Sequence, residues 1–324
     1  MAANALASLA LFEQYAYSSA TEVVDQQVQL FNAASRGAIV LQSGNNESDF
    51  SELAKYALIA NLVVSRNAYD DSAVSAVDVA RLVEISVKCA WGTPPVNIDQ
   101  HLWTWIQKSP AEAGAFIGQQ LAAGIMQRKL NLAIGALVAG LTGVASTNVF
   151  DNTGTGVVTL TALNSASAKF GDRSQSLVAW IMHSKPVHDL YAGAITGSNY
   201  LFKFGDVNIR EDGFGRVLVV TDAPALTYVS TGNKYRSLGL VPGAALVVDN
   251  AADTRVNTQT SNGRTNIHDT YQAQGSFNLG IKGFKWDIVN GGKSPNDAAL
   301  AVSTNWDQAA TSIKDLAGVM LLST

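Results

Sequence analysis

Hydrophobic periodicity is strongest between Pro110 and Leu141, where apolar residues recur at three- and four-residue steps without a further proline. Ser109, Pro110 and Glu112 match the N-cap, first helical and N3 positions of a helix start. The apolar positions are Phe116, Ile117, Leu121, Ile125, Met126, Leu130, Ile134, Leu137 and Val138. The pattern therefore predicts one helix over 109–141, roughly 45–50 Å long.

Small residues are interspersed along this predicted helix and permit a close approach of another backbone. They are Ala115, Gly118, Ala122, Gly124, Gly135 and Ala139. A cofactor-binding helical bundle would need inward-facing His or Glu pairs, which the segment lacks. We therefore interpret it as a packing element that lies tightly against a sheet or a neighbouring element.

Two strands are predicted before the helix, GAIVLQSG (37–44) and VEISVKCA (83–90). Between them, Asp49 followed by Glu52 is typical of a helix start, and Phe50, Leu53, Ala57 and Ala60 or Asn61 give a short helical period. The two strands thus enclose about forty residues of polar and short helical sequence, a length that is uncommon in compact domains and usually functional. We interpret this segment as a long hairpin-like excursion.

The segment after Gly143 mixes helices with strands. A helix is predicted over 161–174, closed by Gly171, and SLVAWIM (176–182) is typical of a central buried strand. Further strands are predicted at 216–222, 228–232, 237–241 and 244–250, and antiparallel extended structure over 265–292. The first 35 residues carry acidic charge only, with short apolar patches, and we interpret them as an arm that docks on another element.

Composition narrows the class of protein. Charged residues make up 15% of the chain, against about 25% in typical soluble domains, so much of the surface is expected to be covered. The net charge of −4 and the lack of a Lys/Arg run argue against direct recognition of duplex nucleic acid. The apolar run 130–145 is too short to span a membrane, and no positively charged n-region precedes the first apolar patch, so we expect a cytosolic chain. The single cysteine, Cys89, excludes an internal disulfide framework.

One short stretch, WIMHSKPVHDLY (180–191), contains residue types used in catalysis: His183, Ser184, Lys185, His188 and Asp189. The apolar stripe Val187, Leu190, Tyr191, Ala194 and Ile195 predicts a helix ended by Gly197. On that helix His188 and Asp189 point away from the core and, as neighbours, cannot face each other. Ser184 is then expected to serve as the N-terminal cap.

Other chemical signatures are incomplete. His183 and His188 are not at the HExxH spacing, and Leu218 replaces the third glycine of a dinucleotide fingerprint. We therefore expect no catalytic, cofactor-binding or metal-binding residues. A serine hydrolase that uses Ser184 and Lys185 remains an alternative, although no glycine-rich oxyanion loop accompanies them.

Several separated motifs resemble the major capsid proteins of tailed bacteriophages. They are GDRSQSLVAWIMHSKPVHDL (171–190), GRVLVVTDAPAL (215–226), YRSLGLVPGA (235–244) and NWDQAATSIKDLAGV (305–319), with VEISVKCAWGTPPVNIDQHLWTW (83–105) and FIGQQLAAGIMQRKLN (116–131) upstream. They occur in family order over most of the chain. An encapsulin-type nanocompartment shell, which shares the fold, remains an alternative.

The resemblance implies an α+β Hong Kong 97-type capsid fold. Its expected segments are an N-terminal arm (1–35), an E-loop (36–105), a P-domain spine helix (106–144), an A-domain (145–264) and a P-domain return with the C-terminal segment (265–324). It further implies hexamers and pentamers of an icosahedral shell around double-stranded DNA, without sequence-specific DNA binding, membrane or cofactor. Scaffolding, portal and decoration proteins are candidate partners. The expected location is the virion, after assembly in the bacterial cytoplasm.

Overall fold

A computed structural model describes most of the chain. The described residues are 2–44, 48–56, 65, 67–72, 81–154, 156–193, 200–204, 207–211, 215–230, 232–262, 265 and 267–324. The helices are α1 (Ala2–Ala34), α2 (Gln100–Lys108), α3 (Pro110–Gly143), α4 (Ala145–Asn148), α5 (Leu160–Ala168), α6 (Ser184–Gly193) and α7 (Asp297–Leu300).

Most of the strands occur in runs between these helices. They are β1 (Ile39–Gly44), β2 (Phe50–Tyr56), β3 (Arg81–Gly92), β4 (Val96–Ile98), β5 (Val149–Asp151), β6 (Ala179–Met182), β7 (Tyr200–Phe204), β8 (Val207–Glu211), β9 (Val217–Val220), β10 (Thr227–Ser230), β11 (Gly232–Leu240), β12 (Ala245–Ser261), β13 (His268–Ile281), β14 (Phe284–Trp286), β15 (Trp306–Gln308) and β16 (Gly318–Ser323). The mixture confirms the predicted α+β class.

The strands form two main sheets among the described residues. The first has six strands in the order β1-β12-β13-β3-β2, with β4 paired to β13. The second has eight strands in the order β5-β16-β11-β6-β9-β8-β7, with β10 paired to β11. A small third sheet pairs β14 with β15.

Helix α1 packs against the first half of α3 with almost no side chain between the two backbones. A Cβ added at Gly118 would lie 2.5 Å from the carbonyl oxygen of Ala16, and one added at Gly114 would lie 2.8 Å from that of Phe12. Ala16 and Ala122 are fully buried. The predicted close packing of the small residues is confirmed at Gly118 and Ala122, and their partner is a helix.

The strong sequence patterns agree with the structure. The long helix predicted over 109–141 is α3, although the Ser109 side chain, at the N-cap position, makes no capping hydrogen bond to a described residue. The strands predicted at 37–44 and 83–90 are confirmed as β1 and β3. The predicted central strand is β6, which is buried at all four positions and lies between β11 and β9.

Three expectations are revised. The helix start at Asp49 is wrong, because the next residues form β2, which pairs antiparallel with β3. The helix predicted over 161–174 ends at Ala168, and Gly171 has a φ of +62°. The residues interpreted as an arm form one continuous helix, which the sequence did not indicate because apolar side chains also occur on its exposed face, as at Leu11, Tyr15 and Leu30.

The strand predicted at 244–250 is confirmed within β12, which belongs to the six-stranded sheet and not to the eight-stranded sheet of the strands that precede it. The predicted boundaries of arm, E-loop, P-domain and A-domain stay predictions. The parts of the excursion at 45–47, 57–64, 66 and 73–80 lie outside the described residues.

A buried ion pair joins α3 to the six-stranded sheet. Lys129 Nζ lies 2.8 Å from Asp249 Oδ2, and the lysine side chain is only 3% exposed. A cavity of about 10 Å³ beside the pair is lined by residues of α1, β1, α3 and β12. The charge pair therefore lies where these four elements meet.

Helix packing yields a matched pair of substitutions. Replacing Gly118 with alanine should lower the free energy of unfolding by about 1–3 kcal/mol, because the methyl group would collide with the α1 backbone. Replacing Gly124 with alanine should raise the free energy of unfolding by up to about 1 kcal/mol. Nothing lies within 4 Å of a Cβ added there, and alanine favours the helix more than glycine does. Urea unfolding of the unassembled subunit measures both, and equal responses would contradict the close α1–α3 contact.

The ion pair gives a second comparison. Asp249→Ala should destabilise the subunit by about 3–5 kcal/mol, because it leaves a buried ammonium without its carboxylate. Asp307→Ala removes the partner of Lys285 from a 3.5 Å pair that is about half exposed on both sides, and should cost under about 1 kcal/mol. Thermal unfolding of the two variants distinguishes a buried pair from a surface pair, and a similar loss in both would refute the distinction.

Candidate functional site

The residues that resemble a catalytic cluster lie where β6 ends and α6 begins. The backbone N–H of Ser184 donates to Asp222 Oδ1 at 3.0 Å, and the N–H of Lys185 donates to His183 Nδ1 at 3.2 Å. Both acceptors satisfy amides of the first helical turn, which have no partner within the helix. Ser184 itself is the first residue of α6, so the prediction that its side chain is the cap is wrong; His183 and Asp222 fill that role.

The distances within the cluster describe a helix cap. Ser184 Oγ lies 3.4 Å from His183 Nδ1, the nitrogen that also accepts the Lys185 N–H, and His183 Nε2 lies 3.4 Å from Asp222 Oδ1. Both separations are at the long end for hydrogen bonds. The Asp222 side chain is 63% exposed, unlike the buried carboxylate that orients a catalytic histidine.

Lys185 is engaged elsewhere. Its ammonium lies 2.5 Å from Asp189 Oδ1, one helical turn along α6. The alternative of a serine–lysine pair needs a lysine amine that takes the proton of Ser184. In the structure the Lys185 ammonium is instead hydrogen-bonded to both carboxylate oxygens of Asp189.

The predicted orientation of α6 agrees with the structure for the side chains that the structure describes. Val187 and Leu190 are buried, and His188 is exposed. Asp189, predicted to point away from the core, is only partly exposed because it binds Lys185. The side chains of Ala194 and Ile195 and the predicted end at Gly197 lie outside the described residues.

The capping role of Asp222 was not predicted from the sequence, although the order of the strands contains a signal for it. β6 and β9 are parallel neighbours, and Met182 is in register with Val220. Carboxyl ends of parallel neighbours meet at one sheet edge, so the aspartate after β9 lies beside the residues after β6. Burial acts to raise the pKa of Asp222, but the hydrogen bonds from Ser184 and the charges of His183 and His188 outweigh it and hold the pKa below 3.8.

Cys89 has the properties of a packing residue. It is buried in β3, and burial raises the pKa of its thiol to about 12. A thiol with such a pKa is not ionised near neutral pH and is a poor nucleophile. Across the described residues, no three His, Cys, Asp or Glu side chains are grouped as metal ligands.

The outer half of the β2–β3 hairpin projects as a two-stranded ribbon. β3 pairs with β13 only from Val87 to Gly92, whereas residues 81–86 pair with β2 alone. On β2, residues 51–54 are exposed, and Leu53 presents 52% of its surface. Glu84 anchors the ribbon, since its carboxylate accepts the Gly283 N–H at 2.9 Å. Such a ribbon is a candidate surface for contact with another molecule.

Two sheets, a long helix pair and a projecting ribbon define a mixed α+β protein with an exposed surface that is available for association. The family model of the Gp13-like proteins, described as major capsid protein 13-like, matches residues 8–320. The chain belongs to this family and is a major capsid protein, as the sequence motifs predicted.

Solved phage capsids show a distant likeness. The capsid of Ralstonia phage GP4 is 11% identical, with a TM-score of 0.49 over 88% of this chain and 87% of that one. The Cyanophage Pam1 capsid is 9% identical, with a TM-score of 0.49 over 88% of each chain. The head structure of Helicobacter pylori bacteriophage KHP40 is 10% identical, with a TM-score of 0.47 over 90% and 88%. No curated protein sequence matches the chain. The family assignment depends on the family model alone.

None of the described helices combines the length and hydrophobicity that crossing a bilayer requires.

The helix cap predicts a pH-dependent stability difference. Because the folded-state pKa of Asp222 is depressed, its stabilisation is fully present above the ordinary value of 3.8 and is lost as the pH falls through the lower folded value. Asp222→Asn should therefore destabilise the subunit at pH 7, by up to about 1 kcal/mol for an exposed capping residue, and less at pH 3. His188→Ala, on the exposed face of α6, should change stability by no more than about 0.5 kcal/mol at either pH. A deficit in Asp222→Asn that grows toward pH 3 would contradict the cap.

Proposed function

We propose that copies of this chain assemble into a closed icosahedral shell that encloses the double-stranded DNA of a tailed bacteriophage, and that the protein catalyses no reaction. The family match over residues 8–320 carries this proposal. The expected place of the protein is the virion, after assembly in the bacterial cytoplasm. Hexamers and pentamers are the expected assembly units, with scaffolding, portal and decoration proteins as candidate partners.

The ribbon supports a role between subunits. A two-stranded ribbon is marginally stable in water unless one face packs on something else. Residues 51–54 of β2 are exposed on both faces in the single chain. Contact with a neighbouring copy would cover these residues and stabilise a projection that contributes little to its own subunit's core.

Charge and composition fit the same role. With 15% charged residues, the chain has less charge than a protein whose whole surface faces water usually carries. Permanent interfaces commonly bury about 2,000–5,000 Å² and are more apolar than transient ones. The net charge of −4 also favours a container that holds DNA without binding it tightly.

The absence of catalysis is supported by the use of each reactive group. His183 and Asp222 cap α6, Lys185 is paired with Asp189, and Cys89 is a buried thiol. No observation favours an encapsulin-type compartment over a phage head. Purified particles that contain a cargo enzyme and no DNA would replace the phage assignment with that alternative.

Shortening the ribbon tests the assembly role. The last described pair of the ribbon joins Tyr56 to Arg81, so residues 57–80 can be replaced by Asn-Gly, the preferred two-residue hairpin turn. The deletion avoids joining β1 to β3, which β12 and β13 separate in the sheet. We expect a soluble subunit that melts cooperatively but forms no closed shells.

Size-exclusion chromatography and negative-stain microscopy report the two outcomes separately. A matched control inserts Asn-Gly at the exposed turn after Thr153, which leaves the ribbon intact and should assemble normally. Closed particles of normal size from the shortened chain would refute the intersubunit role of the ribbon. An unfolded shortened chain would place the deleted segment in the subunit's own core.

A further inference from the structure

The turn Asp287–Gly292, here called the Asn290 turn, contains the dipeptide Asn290-Gly291. In an Asn-Gly sequence the backbone nitrogen that follows the asparagine can attack the side-chain amide, because glycine has no side chain that would hinder the approach. Asn290 is also exposed to solvent, which supplies the water and base that the reaction needs. By sequence and exposure, Asn290 is therefore a site of spontaneous chemical modification.

The modification is a cyclisation that releases ammonia. The backbone nitrogen of Gly291 loses its proton to a base and forms a bond to Cγ of Asn290, and the bond between Cγ and Nδ2 breaks. Water then opens the cyclic imide at either of its carbonyl groups, which leaves an aspartate or an isoaspartate. Water is consumed, ammonia is released and no oxidant takes part. The reaction therefore requires a Gly291 nitrogen that is free to lose its proton and to reach Cγ.

Asp287 holds both reacting groups in other contacts. The Gly291 N–H donates to the Asp287 carbonyl at 2.8 Å, so the attacking nitrogen keeps its proton in a hydrogen bond. The side-chain amide of Asn290 donates from Nδ2 to Asp287 Oδ2 at 2.5 Å, which directs the leaving group back toward the start of the turn. The nucleophile and the leaving group are thus bound to the same residue.

The other carboxylate oxygen of Asp287 fixes the backbone of the turn. Oδ1 accepts the N–H groups of Val289 and Asn290 at 2.8 and 3.2 Å. These hydrogen bonds hold the pKa of Asp287 below its ordinary value of 3.8, so the acceptor is ionised at neutral pH. Hydrogen bonds to an ionised acceptor are stronger than those between neutral groups. The carboxylate therefore closes the turn around the Asn-Gly pair.

A buried tryptophan restrains Gly291 from the other side. A Cβ added at Gly291 would lie 2.2 Å from the Trp286 ring, so the backbone of Gly291 lies directly on the indole. Trp286 Nε1 donates to the Gly292 carbonyl at 3.0 Å, and the ring packs edge-on against Trp306 with centroids 4.9 Å apart. The Gly291 nitrogen can move toward Asn290 Cγ only if the turn lifts off this ring.

We propose that Asp287 protects Asn290 from deamidation, by holding the Asn290 amide and the Gly291 nitrogen apart for as long as the subunit is folded. Deamidation would place a second carboxylate beside that of Asp287, where the two like charges repel each other. The isoaspartate product would also add a methylene to the main chain where it closes over Trp286. Protection of Asn290 therefore preserves the turn that joins β14 to the rest of the chain.

Deamidation of the unmodified chain, folded or in urea at mildly alkaline pH, gives the first test. Trypsin cuts after Lys285 and Lys293, so Asn290 is the only asparagine in the peptide 286–293, whose mass shows the change from amide to carboxyl. We expect Asn290 to react roughly tenfold or more slowly in the folded chain, since only the opened turn reacts. Asn262-Gly263, in the tryptic peptide 256–264, verifies that the urea sample supports the reaction. Equal rates at Asn290 in the two samples would overturn the proposal.

Substitutions at Asp287 test which residue protects. Asp287→Ala removes the side-chain acceptors of the turn and should speed deamidation of the folded chain roughly tenfold, because the turn opens more often. Asp287→Ser keeps an oxygen that accepts a backbone N–H more weakly, and its rate should lie between the two. Val289→Ala is the matched control, since that side chain is 90% exposed in the same turn and its loss should leave the rate unchanged. In urea, all of these chains should react alike.

Circular dichroism establishes that each variant is folded before its rate is compared. A folded Asp287→Ala chain that deamidates as slowly as the unmodified chain would refute the protecting role. If Asp287→Ala does not fold, Asp287→Ser replaces it, and an unchanged rate in that variant refutes the role equally. An acceleration in Val289→Ala as large as that in Asp287→Ala would also contradict it, because any change in the turn would then suffice. All of these rates are measured on the subunit and do not depend on shell formation.

Discussion

The direct approach of the α1 and α3 backbones is the contact on which the arrangement of the subunit depends. Gly114 and Gly118 leave no room for a Cβ beneath α1, so the two helices are held at one separation and one register. Asn32, near the end of α1, donates to the Leu41 carbonyl at 2.6 Å and accepts the Leu41 N–H at 2.9 Å. Helix α1 thereby places the edge strand β1 relative to α3.

The same helix pair positions the distal part of the β12–β13 hairpin. Thr258 Oγ1 donates to Glu13 Oε2 at 2.9 Å, and the Tyr271 ring packs edge-on against Phe12. Burial, together with the charge of Glu13, raises the pKa of Tyr271 to about 12, so the phenol stays neutral in this packing. The six-stranded sheet, α1 and α3 therefore form one packed unit, from which the β2–β3 ribbon projects.

Local sequence patterns were sufficient to predict a helix or strand where one apolar stripe or one apolar run determines it. Helix α3 and strand β6 were predicted because their apolar positions are large and regularly spaced. Helix α1 was missed because large apolar residues such as Leu11, Tyr15 and Leu30 lie on its exposed face and obscure the periodicity of its buried stripe. β2 was misread because Asp49 and Glu52 imitate a helix start, while pairing with β3 overrides that local preference.

The other features that could not be predicted from the sequence depend on contacts between distant segments. Periodicity predicts that 244–250 is a strand, but it does not tell which sheet accepts it, and the partner β1 comes from about 200 residues earlier in the chain. The same holds for Asp222, which reaches Ser184 only because β6 and β9 are parallel neighbours. The prediction that a buried strand ends at His183 and that a helix follows is confirmed, but the identity of the cap needed the structure. That these residues have no catalytic role stays a prediction.

Mass measurement of the purified, unmodified chain combined with electron microscopy tests the central claim most directly. We expect the subunits to form closed particles of uniform diameter above a threshold concentration, with a mass that is a large multiple of the 34.2 kDa chain. A chain that remains a stable, folded monomer at every concentration, alone and with its phage partner proteins present, would contradict it.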